Sequence, residues 1–310
     1  MTARQRGVAL LTALLIAALA ALLAVTAIER ESLALQRTQA IIIDGQAWAL
    51  VGLLEAQAQT RLTRDAAAGP ADTLAESWAA IDKQIWEIGQ GQGQLVDLQG
   101  RFNINNLAAG GAVQAAWASA FERLLQALEI DPVILPAVLD YLDADNEARA
   151  GGAEDAYYLR QMPPRRSADG PLTDVEELRA VRGMTPAMFG RLAPQLTALP
   201  EPTTINVNTA DVPVLLALMP QPSRAFAARL RARQAEGGFM DVQSLLVEAP
   251  PAPAGAPAAL DLGLVGVGSN HFALLGRLQL AARPFHFRSF LERRQAQVEV
   301  RYRQRELTDV

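Results

Sequence analysis

The hydrophobic positions of this chain begin as an unbroken run and then become periodic. No charged residue occurs from Val8 to Ile28, a stretch of 21 residues. At about 1.5 Å of rise per residue, a helix of this length crosses a hydrocarbon core of roughly 30 Å. The pattern therefore predicts one membrane-spanning helix at residues 8–28.

After Ile28 the apolar residues recur at helical spacing, and no proline occurs before Pro70. The recurring positions are Leu33, Leu35, Ile41, Ile42, Trp48, Val51, Leu53 and Leu54. Such spacing is typical of an amphipathic helix. We expect a single helix from about Val8 to Leu62, with Gly45 and Gly52 as weak points. Its apolar stripe needs a packing surface, and a sheet would provide one.

Alternation of apolar and polar residues, which favours strands, occurs in two distant regions. The first covers residues 86–105 and contains WEIG, QLVDL and RFNIN among glycines, and the second extends from His271 to Arg303. We predict that both regions contribute to one antiparallel sheet with one solvated face. The fold class is therefore α+β.

The residues between these two regions have helical patterning with recognisable caps. We expect a capping box at Thr173 and Glu176, and helix N-caps at Thr185, Thr209 and Ser223. The predicted division is an α+β domain at residues 29–106 and 268–310, an inserted helical domain at 107–249, and a linker at 250–267 that contains PAPAGAP.

Composition excludes several classes of function. Half of the residues are hydrophobic, so a core is expected rather than disorder. Cysteine is absent, which excludes disulfides, thiol catalysis and cysteine metal sites. The net charge of −5 argues against a general nucleic-acid-binding surface. Because the sequence has no nucleophile elbow, phosphate loop or zinc helix, we predict that the protein is not an enzyme.

The N-terminal segment allows two kinds of processing. Arg4 and Arg6 precede the apolar run, so the N-terminus should stay cytoplasmic and the rest should be exported. A secretory signal peptide would be cut after Val25-Thr26-Ala27, whereas a prepilin-type leader would be cut after Gly7, leaving Val8 first. The run is longer than the ~7–15 residues of a signal-peptide core, which favours the second. The sequence RQRGVALLTALLIAAL resembles the leader of type IV pilins and type II secretion pseudopilins.

An acidic segment is the best candidate for a binding site. It contains six carboxylates, which repel one another unless a cation or solvent relieves them: Asp140, Asp143, Asp145, Glu147, Glu154 and Asp155. Four of these match positions 1, 3, 5 and 12 of an EF-hand loop, but Ala148 stands where that loop needs glycine. Oxygen ligands without histidine suit calcium better than zinc. We predict a calcium site, with a solvated acidic loop as the alternative.

Together, five segments resemble the minor pseudopilin K component of type II secretion systems. They are the leader, DYLDADNEARAGGAEDAYY, TDVEELRAVRGM, INVNTA and SNHFALLGRLQLAARP. The resemblance implies a long N-terminal helix on a small antiparallel sheet, with a large all-α insertion of helix-hairpin-helix/SAM-like blocks. It also implies calcium in the acidic segment.

The same resemblance implies a place and a set of partners. The protein would be a non-catalytic subunit of the inner membrane with a periplasmic body, at the tip of a pseudopilus that helps to export folded proteins. Its expected partners are the I and J components, the major pseudopilin and a prepilin peptidase that cuts and methylates. A secreted substrate or the outer-membrane secretin are further candidates.

Thr12 bears on the tip position. Most pilins carry glutamate at the fifth mature residue, which would be Thr12 here. An unpaired carboxylate in lipid is costly, so a subunit with no neighbour above it is better without one. The simpler explanation is that any membrane helix tolerates threonine.

Two other functions are open at this point. A minor pilin of a type IV pilus would share the leader and the long helix. The segment from residue 205 to 246 resembles the helix-hairpin-helix unit of DNA-uptake proteins. Its hairpin, Met219–Ser223, has two prolines and no glycine, so phosphate binding by backbone amides is not expected. We therefore expect no nucleic-acid partner.

Overall fold

The computed structural model describes residues 3–79, 82–86, 89–249, 259–280, 283–295 and 297–306. Helix α1 runs from Ala3 to Ala68 without a break at Gly45 or Gly52, so it is longer at both ends than predicted. Gly7, Val8 and Thr12 belong to this helix, but their side chains lie outside the described part. Of the described helices, α1 alone is long and apolar enough to cross a membrane, with a mean hydropathy of 2.0.

The strands form one main sheet and two short pairs. Their bounds are β1 Asp82–Trp86, β2 Gly89–Asp97, β3 Phe102–Asn103, β4 Leu196–Thr197, β5 Ile205–Asn206, β6 Val265–Gly266, β7 His271–Leu280, β8 Arg283–Arg294 and β9 Gln297–Glu306. The main sheet is antiparallel in the order β1-β2-β7-β8-β9. This confirms the predicted antiparallel sheet.

Helix α1 covers one face of that sheet. Val51, Leu54 and Leu62 of α1 are buried against Phe272 and Phe287 of the sheet. Burying side chains of this size stabilises the fold by about 1.5–3 kcal/mol each. The amphipathic half of α1 therefore packs on a sheet, as predicted.

The prediction that the apolar stripe of α1 packs on a sheet is wrong for the first part of the stripe. Leu33, Leu35, Ile41 and Ile42 are exposed by 54%, 62%, 72% and 54%. Among the residues that the structure describes, the apolar packing of α1 on the sheet starts at Ile43. Periodicity alone could not distinguish residues that pack within the chain from residues that remain free for a partner.

The segment RFNIN is also not part of the main sheet. Strand β3 pairs with β4 in a parallel two-stranded unit, and a 3₁₀ helix follows at Ile104–Gly111. Asn103 Oδ1 accepts a hydrogen bond from Leu199 N at 3.0 Å, and Asn105 Nδ2 donates to Leu172 O at 2.9 Å. These bonds turn the backbone away from β2 and towards the helical region.

The helical region has its own core. Its helices are α2 Ala115–Ala127, α3 Leu135–Leu142, α4 Asp155–Tyr158, α5 Pro186–Leu192, α6 Val212–Ala217, α7 Arg224–Ala235 and α8 Val242–Glu248. They bury a cluster that includes Phe121, Tyr158, Leu215 and Phe226. Most of the predicted linker, residues 250–258, lies outside the described residues.

Two of the four predicted caps are confirmed. Thr185 caps α5 and Ser223 caps α7 through their hydroxyl oxygens. The capping box is one residue later than predicted, at Asp174 and Glu177, because the first turn there is a 3₁₀ helix starting at Val175. Thr209 is not a cap, since its hydroxyl donates to Asp97 instead.

Candidate metal centre

Two helices bring the acidic segment into a closed loop. Asp143 directly follows α3, and Glu154 directly precedes α4. The loop between them returns on itself, so that Asp143, Asp145 and Glu154 each offer one carboxylate oxygen within 4.8 Å of the others. The structure thus groups three of the six predicted ligands.

Burial makes this group unusual for carboxylates. Asp143 and Glu154 are only 1% and 3% exposed, while Asp145 is open to solvent. Neither oxygen of Glu154, nor Oδ1 of Asp143, has a hydrogen-bond partner among the described residues. Asp143 Oδ2 lies 2.7 Å from Arg149 Nη2. Buried carboxylate oxygens are costly unless paired, so the group is suited to a cation.

The electrostatics of the loop agree with this burial. Burial, together with the charges of Asp140 and Asp143, raises the pKa of Glu154 to about 7. Burial also raises the pKa of Asp143, although Arg149 opposes the rise. One arginine therefore does not compensate the carboxylates around it.

The other three predicted ligands lie outside the group. Asp140 is buried and holds Arg149 instead, with Oδ1 at 2.5 Å from Nη1 and Oδ2 accepting from the Arg149 backbone N–H at 3.1 Å. Glu147 is exposed. Asp155 Oδ1 accepts from the backbone N–H and the hydroxyl of Ser167, both at 3.0 Å.

A buried polar network was missed in the sequence analysis. Asp97 Oδ2, at the end of β2, accepts from the hydroxyls of Thr209 at 2.5 Å and Ser269 at 2.7 Å, and from Asn206 Nδ2 at 2.9 Å. Burial raises the pKa of Asp97, and the two hydroxyls lower it. The network joins the main sheet to the helical region. The polar residues within INVNTA and SNH are the signal in the sequence for this network.

Comparison with known proteins identifies the family. A family model described as type II secretion system (T2SS), protein K, matches residues 100–201. The chain is 36% identical to type II secretion system protein K of Klebsiella pneumoniae over 254 residues, which is 76% of this chain and 78% of that protein. It is 37% identical to the protein of the same name from Pseudomonas aeruginosa over 229 residues, 69% of this chain and 68% of that one.

A solved structure gives the same result at the level of the fold. In the crystal structure of the GspK-GspI-GspJ complex from the type 2 secretion system of enterotoxigenic Escherichia coli, one chain matches this one. The TM-score is 0.77 and the identity 26%, covering 88% of this chain and 100% of that one. These matches do not favour a type IV minor pilin or a DNA-uptake protein. The chain belongs to the type II secretion system protein K family, the non-catalytic minor pseudopilins of that system.

Proposed function

We propose that this protein stands at the tip of the periplasmic pseudopilus, joined there to the I and J components. The observation that carries this proposal is the free apolar segment of α1. This segment contains the exposed residues Leu33, Leu35, Ile41 and Ile42. They lie beyond the predicted membrane span at residues 8–28, so lipid does not cover them. Exposed apolar patches on one helix are typical of sites that pack against other helices.

The bulk of the helical region supports a terminal position. We propose that residues 107–249 are a large all-α insertion with helix-hairpin-helix/SAM-like blocks, placed between the sheet segments at 29–106 and 268–310. Such a body is much wider than a single helix and would be difficult to fit between stacked subunits. At the end of a fibre it has space on its outer side.

We further propose that the mature protein begins at Val8 and keeps its helix in the inner membrane, with the body in the periplasm. Arg4 and Arg6 before the apolar run support this orientation. Cleavage after Gly7 removes those charges and leaves the helix attached as the element that enters the fibre. A prepilin peptidase would make this cut, and the major pseudopilin would be a partner in the fibre.

Calcium in the acidic loop is the second part of the proposal. Asp143, Asp145 and Glu154 would hold the ion, and the buried oxygens without partners support their role as ligands. The ion would supply positive charge and fixed geometry, and no chemistry. Arg149 stays paired with Asp140 and with Asp143 Oδ2.

Secretion and co-purification test the assembly. In a strain lacking this protein, we expect the native chain to restore exoprotein release and to co-purify with the I and J components. Ile41→Asp should lose both, because it places a charge in the free apolar segment. Val247→Asp, at an even more exposed apolar residue of α8, should keep both. Equal behaviour of the two variants would refute the role given to α1.

A further inference from the structure

A second group of carboxylates lies far along the chain from the acidic loop, where α1 ends against the sheet. Asp65 lies in the last turn of α1, and Asp72 and Glu76 lie in the segment that follows it. Each offers one carboxylate oxygen within 4.8 Å of the other two. The side chain of Asp65 is 8% exposed and that of Asp72 is 1% exposed.

One cation of the chain already contacts this group. Arg293 of β8 places Nη1 at 3.1 Å from Asp65 Oδ2 and Nη2 at 2.5 Å from Asp72 Oδ2. The same Asp72 oxygen accepts from the backbone N–H of Ser269 at 2.6 Å. Arg293 thus contacts two of the three carboxylates, whereas Glu76 Oε2 accepts from Thr73 N and Trp78 Nε1, each at 2.8 Å.

The remaining oxygen of Asp72 points to a missing ligand. Asp72 Oδ2 is engaged by Arg293 and Ser269, whereas the buried Oδ1 has no hydrogen-bond partner among the residues that the structure describes. This buried oxygen is the feature of the group that points to a cation.

We propose that Asp65, Asp72 and Glu76 bind a calcium ion at this joint, separate from any ion in the acidic loop. All the available ligands are oxygens, which suits a hard divalent cation. Two oxygens on one calcium ion lie at most about 4.8 Å apart, since each bond is about 2.4 Å long, and these three satisfy that limit.

Such an ion would fix the end of α1 relative to the rest of the body. Asp72 is bonded through its backbone to both neighbouring parts: its N–H donates to Val267 O at 2.9 Å, and its carbonyl accepts from Asn206 Nδ2 at 3.0 Å. Asp65 belongs to the helix and Arg293 to the sheet. Calcium here would connect the helix, the sheet and the helical region at one point.

Terbium, which takes the place of calcium and emits when tryptophan lies close by, gives a direct test. Trp78 Nε1 donates to Glu76 Oε2 at 2.8 Å, so its indole borders the proposed site. The full-length protein in detergent would carry Asp143→Asn and Glu154→Gln, to remove the acidic-loop site. We expect tryptophan-sensitised emission that calcium displaces, and at least a tenfold loss of it on adding Asp65→Asn and Glu76→Gln. Trp78→Phe should reduce the emission, because it removes the sensitising indole.

Counting bound calcium makes the test independent of luminescence. Equilibrium dialysis should find one ion fewer per chain in Asp65→Asn/Glu76→Gln than in the unaltered protein. Asp44→Asn, which removes an exposed carboxylate of α1 paired with Arg305, should leave the count unchanged. Equal counts for all three folded proteins would overturn the proposal. A carboxyl pair at Asp65 and Asp72 that shares a proton would then explain the group.

Discussion

Asn206 and Asp97 form a buried hydrogen bond between the helical region and the main sheet. The Asn206 Nδ2 to Asp97 Oδ2 distance is 2.9 Å, and the two residues are 109 positions apart in the sequence. Because Asn206 Nδ2 also contacts Asp72 O and Ser269 Oγ, each at 3.0 Å, one amide group holds three segments together. The relative position of the two parts of the body therefore depends on this side chain.

Replacing Asn206 tests that dependence. Asn206→Ala leaves Asp97 buried with one donor fewer, so we expect a loss of about 1–3 kcal/mol in the free energy of unfolding. Asn206→Asp should cost more, because it places a second carboxylate against Asp97. Urea unfolding measures both. The exposed Asn146→Ala should change stability by less than about 0.5 kcal/mol, and a similarly small effect for Asn206→Ala would contradict the role of this residue.

Gly152 should be required for the shape of the acidic loop. A Cβ at this position would lie 1.8 Å from Asp140 Oδ2, the carboxylate that holds Arg149. We expect Gly152→Ala to destabilise the protein by about 1–3 kcal/mol through overpacking and to weaken calcium binding. Gly190→Ala is the matched control, since a Cβ there would meet nothing within 4 Å. Thermal unfolding with and without calcium measures both effects. A Gly152→Ala protein that melts at the same temperature as the native protein would count against this account of the loop.

Calcium should stabilise the folded chain through the acidic loop. A ligand that binds only the folded state raises the melting temperature. Most of the increase should come from calcium bound at the buried carboxylates of Asp143 and Glu154. Asp143→Ala should remove most of this increase, and any remainder should come from the second group at Asp65. Glu147→Ala should keep the increase, because Glu147 is exposed and outside the group. If calcium leaves the melting temperature of the native protein unchanged, both calcium sites are refuted.

The stability of the folded state should also depend on pH through His271. Burial lowers the pKa of His271 below its ordinary 6.5. Below about pH 6.5 the unfolded chain therefore binds more protons than the folded one, and the free energy of unfolding falls as the pH falls. His271 is buried and its Nδ1 lies 3.2 Å from Gln99 Oε1.

His271→Gln should remove this contribution, since glutamine does not titrate but can still donate to Gln99. The quantity to compare is the difference in unfolding free energy between the two proteins, with calcium saturating. It should be constant above pH 6.5 and change below it, in the direction that favours the variant. A difference that stays constant down to pH 5 would show that His271 is not buried as described.

The long helix and the strands β7, β8 and β9 could be predicted from the sequence because each follows one periodicity over many residues. Strand β3 could not, since Asn103 and Asn105 are bound by residues from 172 to 199 that no local pattern shows. The EF-hand spacing predicted Asp143, Asp145, Glu147 and Glu154, and the fold groups all of these except Glu147. Spacing could not reveal that Asp140 and Asp155 already have partners within the chain, because Arg149 and Ser167 reach them only through the fold.

The N-terminal residue of the native protein tests the central claim most directly. Extraction from membranes followed by mass spectrometry of the N-terminal peptide should find a chain that begins at Val8, with a methylated amine and the whole apolar helix present. A soluble periplasmic protein that begins at Ile28 would lack the helix needed to join a pseudopilus. That result would contradict the proposed function.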